Sequence, residues 1–297
     1  MSLAQRLHDA VAVHFFLPSP ALRPYVTTYY LLEVAVPEGA TIEDRLHPEW
    51  ANVRFSAQDD WLAAIGPETP RAVPRLAATG PTSRATHFVT GSMRSWGIGL
   101  LPLGWARFIQ APACVYADRI VDGETDPAFA GFVDLADRCA LAVKADPGEQ
   151  AARIDRFMLA LLDRTSPPED AERIQAAHTA LVDCEIATVA DLAVRNGMSA
   201  RSFERLSLRA FGFSPKLLLR RQRFLRSLAR FMLDPSLTWL STLDDHYVDQ
   251  AQFVRDFRRF MGMSPSCYAA LDHPVLGAAA RARAVAAGQA MQVLHQP

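Results

Sequence analysis

One internal repeat constrains this chain more than any other feature. At an offset of 50 residues, Phe203 aligns with Phe253, Arg205 with Arg255 and Arg209 with Arg259. Both copies then close on the same Gly-x-Ser-Pro: Gly212, Ser214 and Pro215 in the first, Gly262, Ser264 and Pro265 in the second. Six identities in thirteen positions mark two copies of one unit. The shared ending has a local cause. Glycine supplies a left-handed helix stop, serine caps the next helix and proline fits its first position.

In the first copy, Thr188 and Asp191 have the spacing of a capping box. They precede a short helix whose buried side is Val189, Leu192 and Ala193. Asn196-Gly197 permits the positive φ of a tight turn, and Ser199 caps a second helix over residues 200–210 with Phe203, Leu206 and Ala210 inward. Two short helices across a glycine turn make a helix-turn-helix. Arg201, Arg205 and Arg209 fall on its outer face, where a recognition helix offers donors to guanine edges or phosphates. In the second copy, residues 249–260 repeat the pattern with Phe253, Phe257 and Phe260 inward and Gln250 and Arg255 outward. Its first helix, around residues 238–245, is poorly patterned. The turn glycine is missing and His246-Tyr247 stands there, residue types that take positive φ less readily than glycine.

Between the copies, residues 215–233 carry an apolar stripe of Leu217, Phe224, Leu228 and Phe231. Lys216, Arg220, Arg223, Arg226 and Arg230 recur at steps of 3–4, with no acidic residue among them. A helix of that length spans about 28 Å, the order of the roughly 34 Å between successive major-groove turns. Arg220 and Arg223 are candidates for phosphates, contacts that position a protein without reading sequence. Charge follows the same division. The net charge of −1 covers 13 Lys and Arg against 8 Asp and Glu in residues 185–265, and 18 against 24 elsewhere. A basic module thus sits on an acidic body.

These residues resemble the AraC/XylS family of bacterial transcription regulators, over about residues 185–271. The most specific stretch is 249–268, with Asp249-Gln250 followed by Phe253, then Phe257-Arg258-Arg259, then Gly262-x-Ser264-Pro265-x-x-Tyr268. The resemblance implies two helix-turn-helix units joined by one long helix, and sequence-specific binding of double-stranded DNA. It implies base contacts from early positions of each recognition helix, here Arg201, Glu204 and Arg205 in the first unit and Gln250, Ala251 and Arg255 in the second. RNA polymerase, a small-molecule effector and a second copy of the chain are the further partners expected.

Residues 1 to about 125 are punctuated by Pro and Gly. The segments 25–32, 52–55, 87–90 and 96–101 read as strands, which makes this half a small barrel or sandwich, cupin-like in the family resemblance. Ile154, Phe157, Met158, Leu161 and Leu162 have helical spacing. The polar, Pro-rich residues 164–170 mark a boundary. The fold class expected is therefore α+β multidomain. A β-rich sensing or dimerisation domain (1–165) ends in helices. An all-α double helix-turn-helix domain (171–271) follows, then an Ala-rich tail (272–297) that is a loose helix or disordered.

His47, Glu49 and His87 are the candidate metal ligands. Trp50, Trp61, Trp96 and Trp105 are candidates for lining a ligand pocket, and Cys184 and Cys267 for sensing oxidants. Each has a plainer reading as core, turn or surface, and no metal or cofactor is expected. There is no P-loop, Ser/His/Asp constellation or complete dinucleotide fingerprint. No run of about 18 apolar residues suits a membrane span. The mixed-charge N-terminus does not read as a secretory signal, and four scattered cysteines fit the cytoplasm. The rival reading is a cupin-like metal-dependent enzyme with an accessory helical module. A third is a ligand-free dimeric regulator.

Overall fold

The computed structural model describes residues 10–56, 61–141, 145–233, 239 and 241–287. The ends of the expected body and tail (1–9 and 288–297) lie outside the described residues. So do 234–238 and 240, where the first helix of the second unit is expected.

The body is built of two antiparallel sheets, with segments such as 51–56 and 76–79 buried on both faces. The strands are β1 (Val11–Phe16), β2 (Val26–Val34), β3 (Ile42–Leu46), β4 (Ala51–Ser56), β5 (Trp61–Ile65), β6 (Arg71–Ala72), β7 (Leu76–Thr79), β8 (Thr86–Thr90), β9 (Met93–Leu100) and β10 (Ile120–Asp122). One sheet runs β1-β2-β9-β4-β7-β10 and the other β3-β8-β5-β6. The β-rich body is therefore as expected, with β2, β4, β8 and β9 on the segments read as strands. Tyr30 pairs with Gly97. A Cβ on Gly97 would sit 2.1 Å from the Tyr30 ring, so only glycine lets that ring lie across β9.

Helices α1 (Val133–Leu141) and α2 (Pro147–Arg164) cover the outer side of the larger sheet. The α2 residues Ile154, Met158 and Leu161 are buried, as their spacing predicts. The C-terminal part follows as α3 (Ala171–Val182), α4 (Val189–Arg195), α5 (Ala200–Phe211), α6 (Pro215–Leu233), α7 (Gln250–Met261), α8 (Pro265–Ala269) and α9 (Pro274–Ala287). Described residues 241–249 form no regular helix or strand, so the weak pattern ahead of α7 is matched by irregular chain.

The tail is neither loose nor detached over its described length. Helix α9 packs on β1 and β3, with Val275 and Ala278 in the core between the sheets. Its first turn is capped from far away in sequence. Buried Asp44 on β3 accepts the backbone N–H groups of Val275 and Leu276, each at 2.9 Å, supplying partners that a helix start otherwise lacks. This is why a strand reading Ile-Glu-Asp-Arg-Leu buries its central aspartate.

The helical units are not beads on the body, because their cores cross the seam. Trp50, Leu101 and Leu103 of the body belong to the apolar cluster of the first unit, and Ala85 to that of the second. One loop, 81–85, touches all three parts of the module. Pro81 packs against Gly212 at the end of α5. The Thr82 carbonyl accepts from buried Arg221 of α6 at 2.8 Å. The Ala85 N–H donates to the Phe260 carbonyl near the end of α7 at 2.6 Å. Asp118 braces the loop, accepting the Ser83 N–H at 2.6 Å and the Ser83 hydroxyl at 2.7 Å.

Gly212 and Gly197 both adopt positive φ, +82° and +61°, but only Gly212 is packed. A Cβ there meets Pro81 Cγ at 2.7 Å, whereas Gly197 has nothing within 4 Å. Gly197→Ala should cost about 1–2 kcal/mol for its left-handed backbone, and Gly212→Ala clearly more. Thermal melts giving equal losses would contradict the seam at Pro81.

His178 of α3 is buried against Trp50, ring centroids 5.4 Å apart. Burial first, and the Arg221 cation second, push its pKa down to about 4. The unfolded chain therefore binds this proton below about pH 6.5 while the folded one refuses it. Stability should fall as pH drops from about 6.5 towards 4. His178→Gln should flatten that limb in denaturant titrations across pH. An unchanged slope in the variant would remove His178 as its source.

Candidate nucleic-acid interface

Both recognition helices start and stop where the repeat places their caps. Thr188 Oγ1 accepts the Asp191 N–H at 3.1 Å ahead of α4, Ser199 caps α5, and Asp249 Oδ1 accepts the Gln252 N–H at 2.6 Å at the start of α7. Gly212 and Gly262 end α5 and α7 in left-handed conformation. Phe203, Leu206 and Ala210 are buried on α5, and Phe253, Phe257 and Phe260 on α7. With those faces fixed inward, Arg201, Glu204, Arg205 and Arg209 of α5 are exposed, as are Gln250, Ala251 and Arg255 of α7. Lys216, Arg258 and Arg259 are exposed too, and none of Arg201, Arg205, Lys216, Arg255, Arg258 or Arg259 has an ion pair among the described residues.

The cations on the connector α6 behave differently from those on α5. Arg220 binds the carboxylate of Asp256 on α7, with Nε at 3.2 Å. Arg223 lies 3.7 Å from the same carboxylate, donates to the His246 carbonyl at 2.9 Å and covers the Tyr247 ring at 4.6 Å. Arg226 binds Asp244, and Arg230 donates to the Leu243 carbonyl at 2.8 Å. Burial raises the Asp244 carboxyl, but Arg226 and the His246 N–H more than offset this and hold it below the usual carboxylate range. The stripe that reads as a solvated cationic face thus fastens the irregular segment 241–249 and α7 to the connector. Arg209 similarly meets a carboxylate, that of Asp170.

A basic groove lies between these parts. Lys216, Arg220, Arg223 and Arg226 of α6 and Arg255 of α7 line it, facing Thr188 at the start of α4. Connector and both units therefore border one concavity, whose single carboxylate among the described residues is Asp256.

The sequence missed Arg221. It has the same composition around it as its neighbours on α6, yet it has no solvent exposure. It donates to the carbonyls of Glu49 at 3.2 Å and Thr82 at 2.8 Å, with its guanidinium 4.0 Å from the Trp50 ring centroid. Burial presses its pKa downward against the pull of Asp118 and Glu49.

The body holds a cavity of about 140 Å³ between the sheets, walled in part by α6 and α9. Among the candidate tryptophans, Trp61 lines it. Trp50 lies in the seam, and Trp96 and Trp105 are in the core beneath the larger sheet. His47 and Glu49 reach the cavity, but His47 Nε2 lies 2.7 Å from the Tyr268 hydroxyl and Glu49 binds Arg54. His87 instead lies 2.9 Å from Glu43. Among the described residues no three His, Cys, Asp or Glu side chains group as metal ligands. Cys184 and Cys267 are exposed, and the sulfur of Cys184 lies 3.7 Å from the Glu185 carboxylate rather than beside a cation. No described helix is long and apolar enough to cross a membrane.

Among solved structures, ToxT from Vibrio cholerae O395 is similar at 10% identity over 77% of this chain and 96% of its own, with a TM-score of 0.40. ToxT from V. cholerae strain SCE256 with bound unsaturated fatty acid matches at 10% identity, 87% and 94% coverage and a TM-score of 0.41. The AraC-like transcriptional activator CuxR matches at 13%, 76%, 90% and 0.27. No curated protein matches the chain in sequence. A helix-turn-helix domain family matches residues 192–270, the span from α4 through α8. The match covers under a third of the chain, and over it the chain is similar to a helix-turn-helix domain.

Proposed function

We propose that the chain is a DNA-binding transcription regulator. Residues 171–271 read two neighbouring stretches of major groove, and residues 1–165 receive a small-molecule signal in the cavity between the sheets. One observation carries the DNA half of this reading: two recognition helices, capped alike and buried on corresponding apolar faces, present their cationic faces to solvent. Arg201, Glu204 and Arg205 of α5 and Gln250, Ala251 and Arg255 of α7 are the base-facing set. Arg209 and Arg220, each partly exposed beside a carboxylate, are placed for phosphates. Arg223, only 16% exposed, serves by holding the second unit in position. RNA polymerase and a second copy of the chain are the protein partners this role calls for, and the bacterial cytoplasm is its location.

The signal half rests on the cavity being walled in part by the connector, through Leu225 and Ala229. A molecule seated there touches the same helix that joins the two units.

Selection from random duplexes should return a preferred site. Against it, Arg205→Ala should lose affinity by about 1–3 kcal/mol, the worth of a bidentate base contact, and lose much less on scrambled DNA at the same salt. Equal losses in gel-shift titrations on the two duplexes would strike Arg205 from the base-reading set.

A further inference from the structure

The walls of the cavity carry more information than its volume. Val13, Leu32, Phe88, Leu225 and Val275 form much of an apolar surface. Its charged lining residues, among those described, are Glu49 and Arg54, and they bind each other. Arg54 also donates to Thr79 Oγ1 at 3.1 Å. The other titratable lining groups are also engaged: His47 with the Tyr268 hydroxyl, and Tyr30, whose hydroxyl donates to Asn52 Oδ1 at 3.1 Å. An incoming carboxylate would therefore leave water without a free cation to meet it, beside a carboxylate already present, and burial of an uncompensated charge is strongly unfavourable.

Trp61 points to what is accepted instead. It lines the cavity with 7% exposure, and its indole N–H is buried without a hydrogen-bond partner among the described residues. The contrast is Trp105, whose N–H donates to the Ala111 carbonyl at 2.7 Å. A buried donor with no acceptor is a cost that an oxygen on a ligand removes.

Taking the cavity as the signal-receiving site proposed above, we infer that it selects an uncharged, mainly apolar molecule bearing one acceptor oxygen, such as a ketone or ester, for the Trp61 N–H, and that it rejects carboxylates. A cavity near 140 Å³ is the size of an engineered apolar one that takes up benzene, so single-ring compounds are suitable probes.

Acetophenone, benzoate and ethylbenzene are nearly isosteric and separate the three chemistries. In equilibrium dialysis against the full chain, acetophenone should bind at least about tenfold more tightly than benzoate and about three- to tenfold more tightly than ethylbenzene. Trp61→Phe should erase the margin over ethylbenzene and leave ethylbenzene binding in place. Ala229→Phe, which fills the cavity from α6, should abolish both. Benzoate binding as tight as acetophenone, a margin that survives Trp61→Phe, or no saturable binding by any of the three overturns the inference. The same preparations are titrated on the selected duplex. A protein that binds that duplex but prefers benzoate overturns the ligand class alone. One that prefers acetophenone while its DNA affinity ignores the compound supports the class and overturns the cavity as the signal site.

Discussion

A buried cation stands at the centre of the seam between the two halves of this protein. Arg221 leaves the connector helix, enters the body and ends between the Glu49 and Thr82 carbonyls over the face of Trp50. A guanidinium without solvent exposure is tolerable only while its acceptors stay in place, and removing one side of such a buried arrangement typically costs about 3–5 kcal/mol. The position of α6 is therefore tied to the body, and α6 in turn holds the second helix-turn-helix unit through Asp256, Asp244 and the turn at 241–249.

That hierarchy explains the use of charge along α6. Five arginines on a helix without acidic residues look like one surface feature. In the fold they divide between inward and lateral tasks. Arg221 anchors to the body, Arg220 holds α7 through Asp256, and Arg223, Arg226 and Arg230 hold the irregular segment 241–249. The irregular second unit keeps its shape through these ties, where the first unit has a regular helix and a glycine turn. The cations left without carboxylate partners are concentrated on α5 and α7, with Lys216 at the start of the connector.

The C-terminal module was legible in the sequence because its determinants are local. Caps, glycine stops and aromatic spacing all act within a few residues, so the repeat placed α4, α5, α6 and α7. The body was less legible. Strands β2, β4, β8 and β9 have aromatic or alternating patterns, but β3 is mostly charged and is a strand because Asp44 meets α9 across 231 residues. Arg221 was invisible for the same reason, since its role is set by carbonyls 139 and 172 residues away. The candidate ligand tryptophans could be told apart only once the sheets had closed, leaving Trp61 on the cavity and sending Trp96 and Trp105 to the core.

The loop 81–85 meets the end of one recognition helix, the connector and the end of the other recognition helix within five residues. Geometrically it acts as a common clamp. The ends of α5 and α7 and the middle of α6 therefore rest on one short support, so a displacement of this loop would be felt by all three elements at once.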